Sequence, residues 1–188
     1  MKRVVVGITG ATGACYAQSL LKWLAEHGEA AGVQTDVVLT KAGRMVWQHE
    51  LGTDPAELGH RIWAPNDFFA PFASGSASLH GMIVAPCTAG TLARIATGQA
   101  SDLLSRAAEV MLKERKKLVL LYREAPLSLI QIRNMETVTL AGGVVLPATP
   151  AFYTNPDTLD HVVDDLAGRC LDQLGIDNDL VRRWEGAR

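Results

Sequence analysis

The sequence predicts a three-layer α/β fold: a doubly wound, mostly parallel sheet with helices on both faces. Three observations carry this. Short β-branched runs alternate with helix-period segments along the whole chain, the pattern of repeated strand–helix–strand units. One run, 118–122, is continuously apolar, as expected of a strand covered on both faces. The first run passes straight into a glycine-rich turn and then a helix, as in a Rossmann-like or flavodoxin-like sheet.

The elements follow in order. Residues 3–8 are a β-branched strand. Residues 14–27 carry Leu20, Leu21 and Leu24 at helical spacing. A second strand is expected over 33–40 and a helix over 43–51, with Met45 and Val46 on its inner face. A third buried strand is expected over 82–85 and a helix over 88–96. Residues 103–117 are rich in Ala, Leu, Met and charged residues and read as a stronger helix. After strand 118–122 come a helix over 129–140, a strand over 143–146 and an amphipathic helix over 158–174. The 54–78 stretch breaks the rhythm with Pro55, Pro65, Pro71, Gly59 and Gly75 among Trp63, Phe68, Phe69 and Phe72. A loop this long in a compact domain is uncommon unless it has a function, although its aromatics could equally form a satellite core. The chain reads as one domain, 1–188, with a C-terminal tail from about 176.

Composition removes several classes of function. With 188 residues, 48% hydrophobic and 20% charged, the chain can build a core. Eighteen Lys and Arg against twenty Asp and Glu leave a net charge of −2, so no basic field attracts nucleic acid. No apolar run reaches membrane-spanning length, and the first residues read as strand and turn rather than a signal peptide. Three cysteines without a C-x-x-C pair suit a reducing cytoplasm. The five histidines show no metal-ligand spacing, so no metal site is expected.

The chemistry gathers at strand ends. Gly7, Gly10 and Gly13 form a G-x-x-G-x-x-G turn, which lets a phosphate approach a helix N-terminus and also suits an ordinary strand-to-helix turn. A dinucleotide enzyme would place an acid at the end of strand two; this chain has Thr40 and Lys41, and no Tyr-x-x-x-Lys pair. A nicotinamide dehydrogenase is thereby disfavoured and a mononucleotide favoured. Thr12, Thr40, Thr88 and Thr91 all fall at strand-to-helix junctions, where each could also be an N-cap. Cys87 reads as a small buried residue. Arg106 and Lys113 share one face of a helix, and Arg169 lies in the last helix. Arg123 and Glu124 follow a buried strand at the functional edge of the sheet.

The chain resembles, at nearly full length, the UbiX family of flavin prenyltransferases. The resemblance rests on Gly10-Ala11-Thr12-Gly13, Ala73-Ser74-Gly75-Ser76, Pro86-Cys87-Thr88 with Thr91-Leu92-Ala93, Ile95-Ala96-Thr97-Gly98, and the run from Leu103 to Arg115. It continues through Arg123-Glu124-Ala125-Pro126-Leu127, Asn134-Met135, Pro147 to Tyr153, and Leu171 to Ile176. It implies metal-independent transfer of a dimethylallyl group from dimethylallyl monophosphate to N5 and C6 of reduced FMN. The product, prenylated FMN, would serve a separate UbiD-class decarboxylase. It further implies a homo-oligomer, commonly a dodecamer, with sites completed by neighbouring chains. The exposed aromatic loop and the 181–188 tail are interface candidates.

The resemblance also implies roles. Gly10, Ala11, Thr12, Thr40, Thr88, Thr91 and Arg106 correspond to FMN contacts, with Ser74 and Gly75 near both flavin and prenyl phosphate. Lys113, Arg123, Tyr153 and Arg169 correspond to the cluster on the donor's phosphate, suited to charge that develops as the C–O bond breaks. Glu50 and Glu124 correspond to acids that move protons at N5 and C6. Phe68 stands where many members have tryptophan, facing an allylic cation. Thr12 stands where serine is usual, and Tyr122 where proline is frequent. Two rivals remain on the same fold. A flavin-dependent decarboxylase of a peptidyl or pantothenoyl cysteine would show Pro-x-Ser-Ala-Asn-Thr and a histidine ahead of that strand; here stand Pro86 to Thr91, and His80 reads as structural. A non-catalytic carrier of FMN or prenylated FMN is disfavoured by the intact Glu50, Lys113, Glu124, Tyr153 and Arg169.

Overall fold

Six strands, β1 (Lys2–Ile8), β2 (Val33–Leu39), β3 (Arg61–Trp63), β4 (Gly81–Cys87), β5 (Lys117–Tyr122) and β6 (Val144–Pro147), form one sheet in the order β3-β2-β1-β4-β5-β6. Every neighbouring pair is parallel, so the expected mostly parallel sheet is fully so. The computed structural model describes residues 1–184 and Gly186. Six helices cover the sheet: α1 (Ala14–His27), α2 (Lys41–Leu51), α3 (Ala89–Ala96), α4 (Leu103–Lys113), α5 (Leu129–Leu140) and α6 (Leu159–Leu174).

Side-chain alternation divides the core in two. Val4, Val6 and Ile8 of β1 pack with Leu20, Leu24, Trp47, Leu166 and Leu171 from α1, α2 and α6. Val5 points the other way, towards Leu92, Leu104, Met111 and Val138 from α3, α4 and α5. The chain winds outwards from β1 in one direction and from β4 in the other. The strand order therefore reverses between β1 and β4, and the crevice beyond their carboxyl ends is where ligands of such sheets bind.

Several expectations need correction. The second strand stops at Leu39, because Thr40 caps α2 by accepting from the Gly43 N–H at 2.9 Å. Met45 is 65% exposed, and the inner face of α2 is Gly43 and Trp47. Gly43 sits so close to the carbonyl of Ile8 that no side chain fits between them. That contact, invisible in the periodicity, sets the helix rotation. The helix expected over 103–117 ends at Lys113, and β5 starts at Lys117. The 54–78 stretch holds an edge strand, β3, and two short 3-10 turns. Its aromatics split: Phe72 is fully buried and meets Trp63 edge-on at 5.7 Å, whereas Phe68 is half-exposed and Phe69 almost wholly so.

Candidate active site

Thr9 ties the two strand ends together at the switch point. Its hydroxyl donates to Pro86 O at 2.6 Å and accepts from the Thr88 N–H at 3.0 Å. Thr88 then caps α3, accepting from Thr91 N–H at 3.1 Å and donating to the Thr91 hydroxyl at 2.9 Å. Arg94 closes the set from one turn along α3, donating to the same Thr91 oxygen at 3.1 Å. The carboxyl edge thus presents a fixed row of hydroxyls beside the N-terminus of α3, with a guanidinium at hand.

The glycine turn behaves differently from its sequence reading. Gly10 is required because any Cβ there would meet Ala42 Cβ at 2.6 Å. Gly13 is required by its φ of 104°, a left-handed conformation that disfavours other residues. The anion at the N-terminus of α1 is the chain's own: the Glu50 carboxylate accepts from Gly13 N–H at 2.9 Å and Ala14 N–H at 2.8 Å. Desolvation pushes the Glu50 pKa up, but the Thr12 hydroxyl, these two amides and His49 outweigh it and hold the group below its ordinary value. Glu50 is therefore ionised at neutral pH, and a ligand phosphate finds a carboxylate in this position.

On the next strand, Tyr122 and Arg123 stand at the carboxyl end of β5. Tyr122 is 3% exposed and its hydroxyl has no partner among the described residues. Burial, then Glu124 and Cys87, push its pKa up. The Nε atoms of Arg94 and Arg123 are likewise buried without a partner. Buried donors left unpaired are costly, and three at one edge fit a ligand rich in oxygen acceptors. Glu124 follows, half-buried, with one hydrogen bond among the described residues, from Ala125 N–H at 3.2 Å. Cys87 is fully buried and desolvation raises its pKa to about 12, which makes it an inert core thiol, as expected.

The remaining site residues lie elsewhere. Arg106 donates to Ala73 O at 3.0 Å and to Glu109 at 2.8 Å, pinning the Ser74–Gly75 loop against α4. Lys113 pairs with Glu114 beside Gly75. Because α4 runs antiparallel to the strands, Lys113 lies at the amino edge of the sheet, while Arg123 and Glu124 lie at the carboxyl edge. Phe68 sits near the start of α4, where Pro65 O accepts from Leu103 N–H at 2.7 Å. Tyr153 is 58% exposed in the loop after β6, edge-on to Trp184 at 5.4 Å. Arg169 is exposed on α6, 4.0 Å from Asp172. One chain therefore assembles the carboxyl edge and, separately, an α4 flank, and does not bring Lys113 to Glu124. Sequence reasoning missed Thr9 and Arg94. A hydroxyl closing a buried apolar strand was the available signal for Thr9; for Arg94 there was only its spacing from Thr91. Among the described residues no group of three or more His, Cys, Asp or Glu is placed to hold a metal ion.

Comparison with known proteins decides the family. The model of the Flavoprotein family matches residues 1–170. A probable UbiX-like flavin prenyltransferase of Bacillus subtilis is 46% identical over 187 residues, 98% of this chain and 90% of that protein. The chain belongs to the UbiX flavin prenyltransferases. The solved structure of AnUbiX (PadA1), in complex with FMN and dimethylallyl pyrophosphate, superposes with a TM-score of 0.93 at 41% identity, covering 100% of this chain and 99% of that one. A dodecameric FMN-dependent UbiX-like decarboxylase of Escherichia coli O157:H7 gives 0.92 at 40% identity, covering 98% and 100%. The residues present fit a flavin mononucleotide, since the unpaired Arg94 Nε and Tyr122 hydroxyl supply donors of the kind its phosphate and carbonyls require, which leaves Arg123 Nε for a second phosphate. His80, the histidine nearest the position a cysteine decarboxylase uses, is bound at 2.8 Å to Leu174 O at the amino edge and is structural. No helix among the described residues is long and apolar enough to cross a membrane.

Proposed function

We propose that the chain moves a dimethylallyl group from dimethylallyl monophosphate to N5 and then C6 of reduced FMN, delivering prenylated FMN to a UbiD-class decarboxylase. The observation that carries the reading is the carboxyl edge itself, where three unpaired buried donors stand beside the Thr9–Thr88–Thr91 row and next to Glu124. Reduced flavin supplies the nucleophilic N5 and C6. Thr88, Thr91 and Arg94 hold its phosphate at the N-terminus of α3, since Glu50 already fills that of α1. Thr40, Thr12, Ala11 and Gly10 line the adjoining turn.

Lys113, Arg123, Tyr153 and Arg169 take up the charge of the departing phosphate as the donor C–O bond breaks. Phe68 presents its ring face to the allylic carbons. Glu124, with few partners, moves the proton at C6 during ring closure, while the ionised Glu50 fixes the turn below the flavin. The separation of Lys113, Ser74 and Gly75 from Glu124 within one chain supports a homo-oligomeric site, a dodecamer as in the E. coli neighbour, in which one copy's α4 flank faces another's carboxyl edge. The three unpaired cysteines suit the cytoplasm.

The test is anaerobic incubation of the protein with reduced FMN and dimethylallyl monophosphate, in parallel with the diphosphate. Mass spectrometry of the extracted flavin is expected to show one dimethylallyl added with the monophosphate. Unmodified FMN with both donors would refute the reading. Lys113→Ala is expected to lose transfer while retaining FMN; undiminished turnover would refute its phosphate role.

A further inference from the structure

We infer that Arg182 is a positioning residue for Tyr153, holding the loop that carries this phenol by way of a C-terminal strap. After α6 the chain turns back and runs along the helix towards the carboxyl edge. The turn-back is anchored at three points. Trp23 Nε1 donates to Asp179 Oδ1 at 2.7 Å. Arg183 forms a two-pronged pair with Asp172, at 2.6 and 2.8 Å. Asn178 donates to Gly168 O at 3.2 Å and to Asp172 at 2.9 Å. Gly168 permits the crossing, since a Cβ there would meet Val181 Cγ2 at 2.6 Å and Leu180 Cβ at 2.8 Å.

At the end of the strap one guanidinium gathers the whole Tyr153 loop. Arg182 donates to Thr154 O at 3.5 Å, Asn155 O at 3.2 Å, Asp157 Oδ2 at 3.3 Å and His161 Nδ1 at 3.0 Å. Asn155 turns the chain at a φ of 49°, in the left-handed region that asparagine adopts more readily than most residues. Trp184, two residues on, meets the Tyr153 ring edge-on at 5.4 Å. No hydrogen bond fixes the Tyr153 hydroxyl among the described residues, and the residue is 58% exposed. Beneath the strap lies a cavity of about 420 Å³ between α1 and α6, lined by Trp23, Thr154, His161 and Arg182 among others. The strap crosses this space without filling it. Polar bonds from Arg182, rather than core packing, therefore decide where Tyr153 points.

This inference rests on the reading of Tyr153 as a ligand of the donor phosphate, and the test separates the two. Arg182→Ala is expected to raise the KM for dimethylallyl monophosphate about tenfold, the scale of one charge-assisted hydrogen bond, with kcat, FMN affinity and thermal stability little changed. In a Tyr153→Phe background the same substitution is expected to add nothing. An unchanged KM, or an effect fully additive with Tyr153→Phe, overturns the proposal. A Tyr153→Phe variant with unaltered KM overturns the donor role of Tyr153 instead. The strap is then judged by fluorescence: Arg182→Ala is expected to red-shift the Trp184 component, identified by its loss in Trp184→Phe, and to increase its quenching by acrylamide. Emission identical to wild type overturns the positioning role whatever Tyr153 binds.

Discussion

Mixing two inactive variants tests the composite site directly. Lys113 ends α4 just before β5 begins, and Glu124 follows just after β5 ends. Six residues of strand at about 3.3 Å each separate them by about 20 Å, beyond the reach of a lysine side chain. On its proposed role, Lys113→Ala removes a cation from the leaving phosphate and is expected to cost about 10²–10³-fold in turnover. Glu124→Gln removes the proposed proton carrier and is expected to cost about 10²–10⁴-fold. Co-expressed with different tags and purified over both, the variants are expected to form mixed assemblies. With equal and random mixing, half the carboxyl edges retain Glu124 and half of the facing α4 flanks retain Lys113, so about one quarter of the sites of a symmetric assembly are intact. Turnover near a quarter of wild type is the expected result, read by the flavin mass assay. If each chain built its own site, no chain in the mixture would carry both groups. Turnover no greater than that of the separate variants, in assemblies shown by native mass spectrometry to be mixed, would refute the reasoning.

Two further outcomes follow from single side chains. Glu50→Gln is expected to destabilise the protein by about 1 kcal/mol at neutral pH, through the lost charge at the α1 N-terminus, as read by denaturant titration. Because the folded pKa of Glu50 lies below its ordinary 4.5, its contribution is present above that value and fades as the pH falls through the folded pKa; the Gln variant is expected to lack this acid-side loss. Phe68→Trp is expected to raise kcat, since the indole face attracts a cation more strongly than a phenyl face does, and an unchanged or lower kcat would remove Phe68 from the reacting carbons.

The layers of the fold were legible because strand and helix periods differ and the central strands β1, β4 and β5 carry unbroken apolar runs. The edge strand β3 was not, since three residues set among Pro and Gly carry no period. The rotation of α2 was misread for a related reason: Met45 and Trp47 are both apolar, and the contact of Gly43 on Ile8 O that decides between them is tertiary. At the site, resemblance named the residues without showing their distribution. Lys113 and Arg123 are close in sequence, yet β5 carries them to opposite edges. Glu50 reaches Gly13 across 37 residues and Arg182 reaches Thr154 across 28, so neither bond leaves a local mark in the sequence.

A site shared between copies, as proposed, needs a surface that brings its other half, and α5 offers one. Val138 is its only buried residue, while Leu129, Ile130, Ile132 and Leu140 are 60%, 73%, 48% and 81% exposed. Four large aliphatic side chains left exposed on one helix call for cover. The helix begins just past Glu124 and ends just before β6, so a copy seated along it spans both edges of the sheet. Ile130→Glu places a charge in that cover without touching the core. Burying an isoleucine is worth about 1.5–3 kcal/mol, and the loss recurs at every equivalent contact of a symmetric assembly. The variant is expected to keep its far-ultraviolet circular dichroism, to shrink by light scattering, and to lose prenyl transfer in step with the loss of assembly. Full activity in a particle of monomer mass would show that one chain completes the site, and the mixing result would then have to be negative as well.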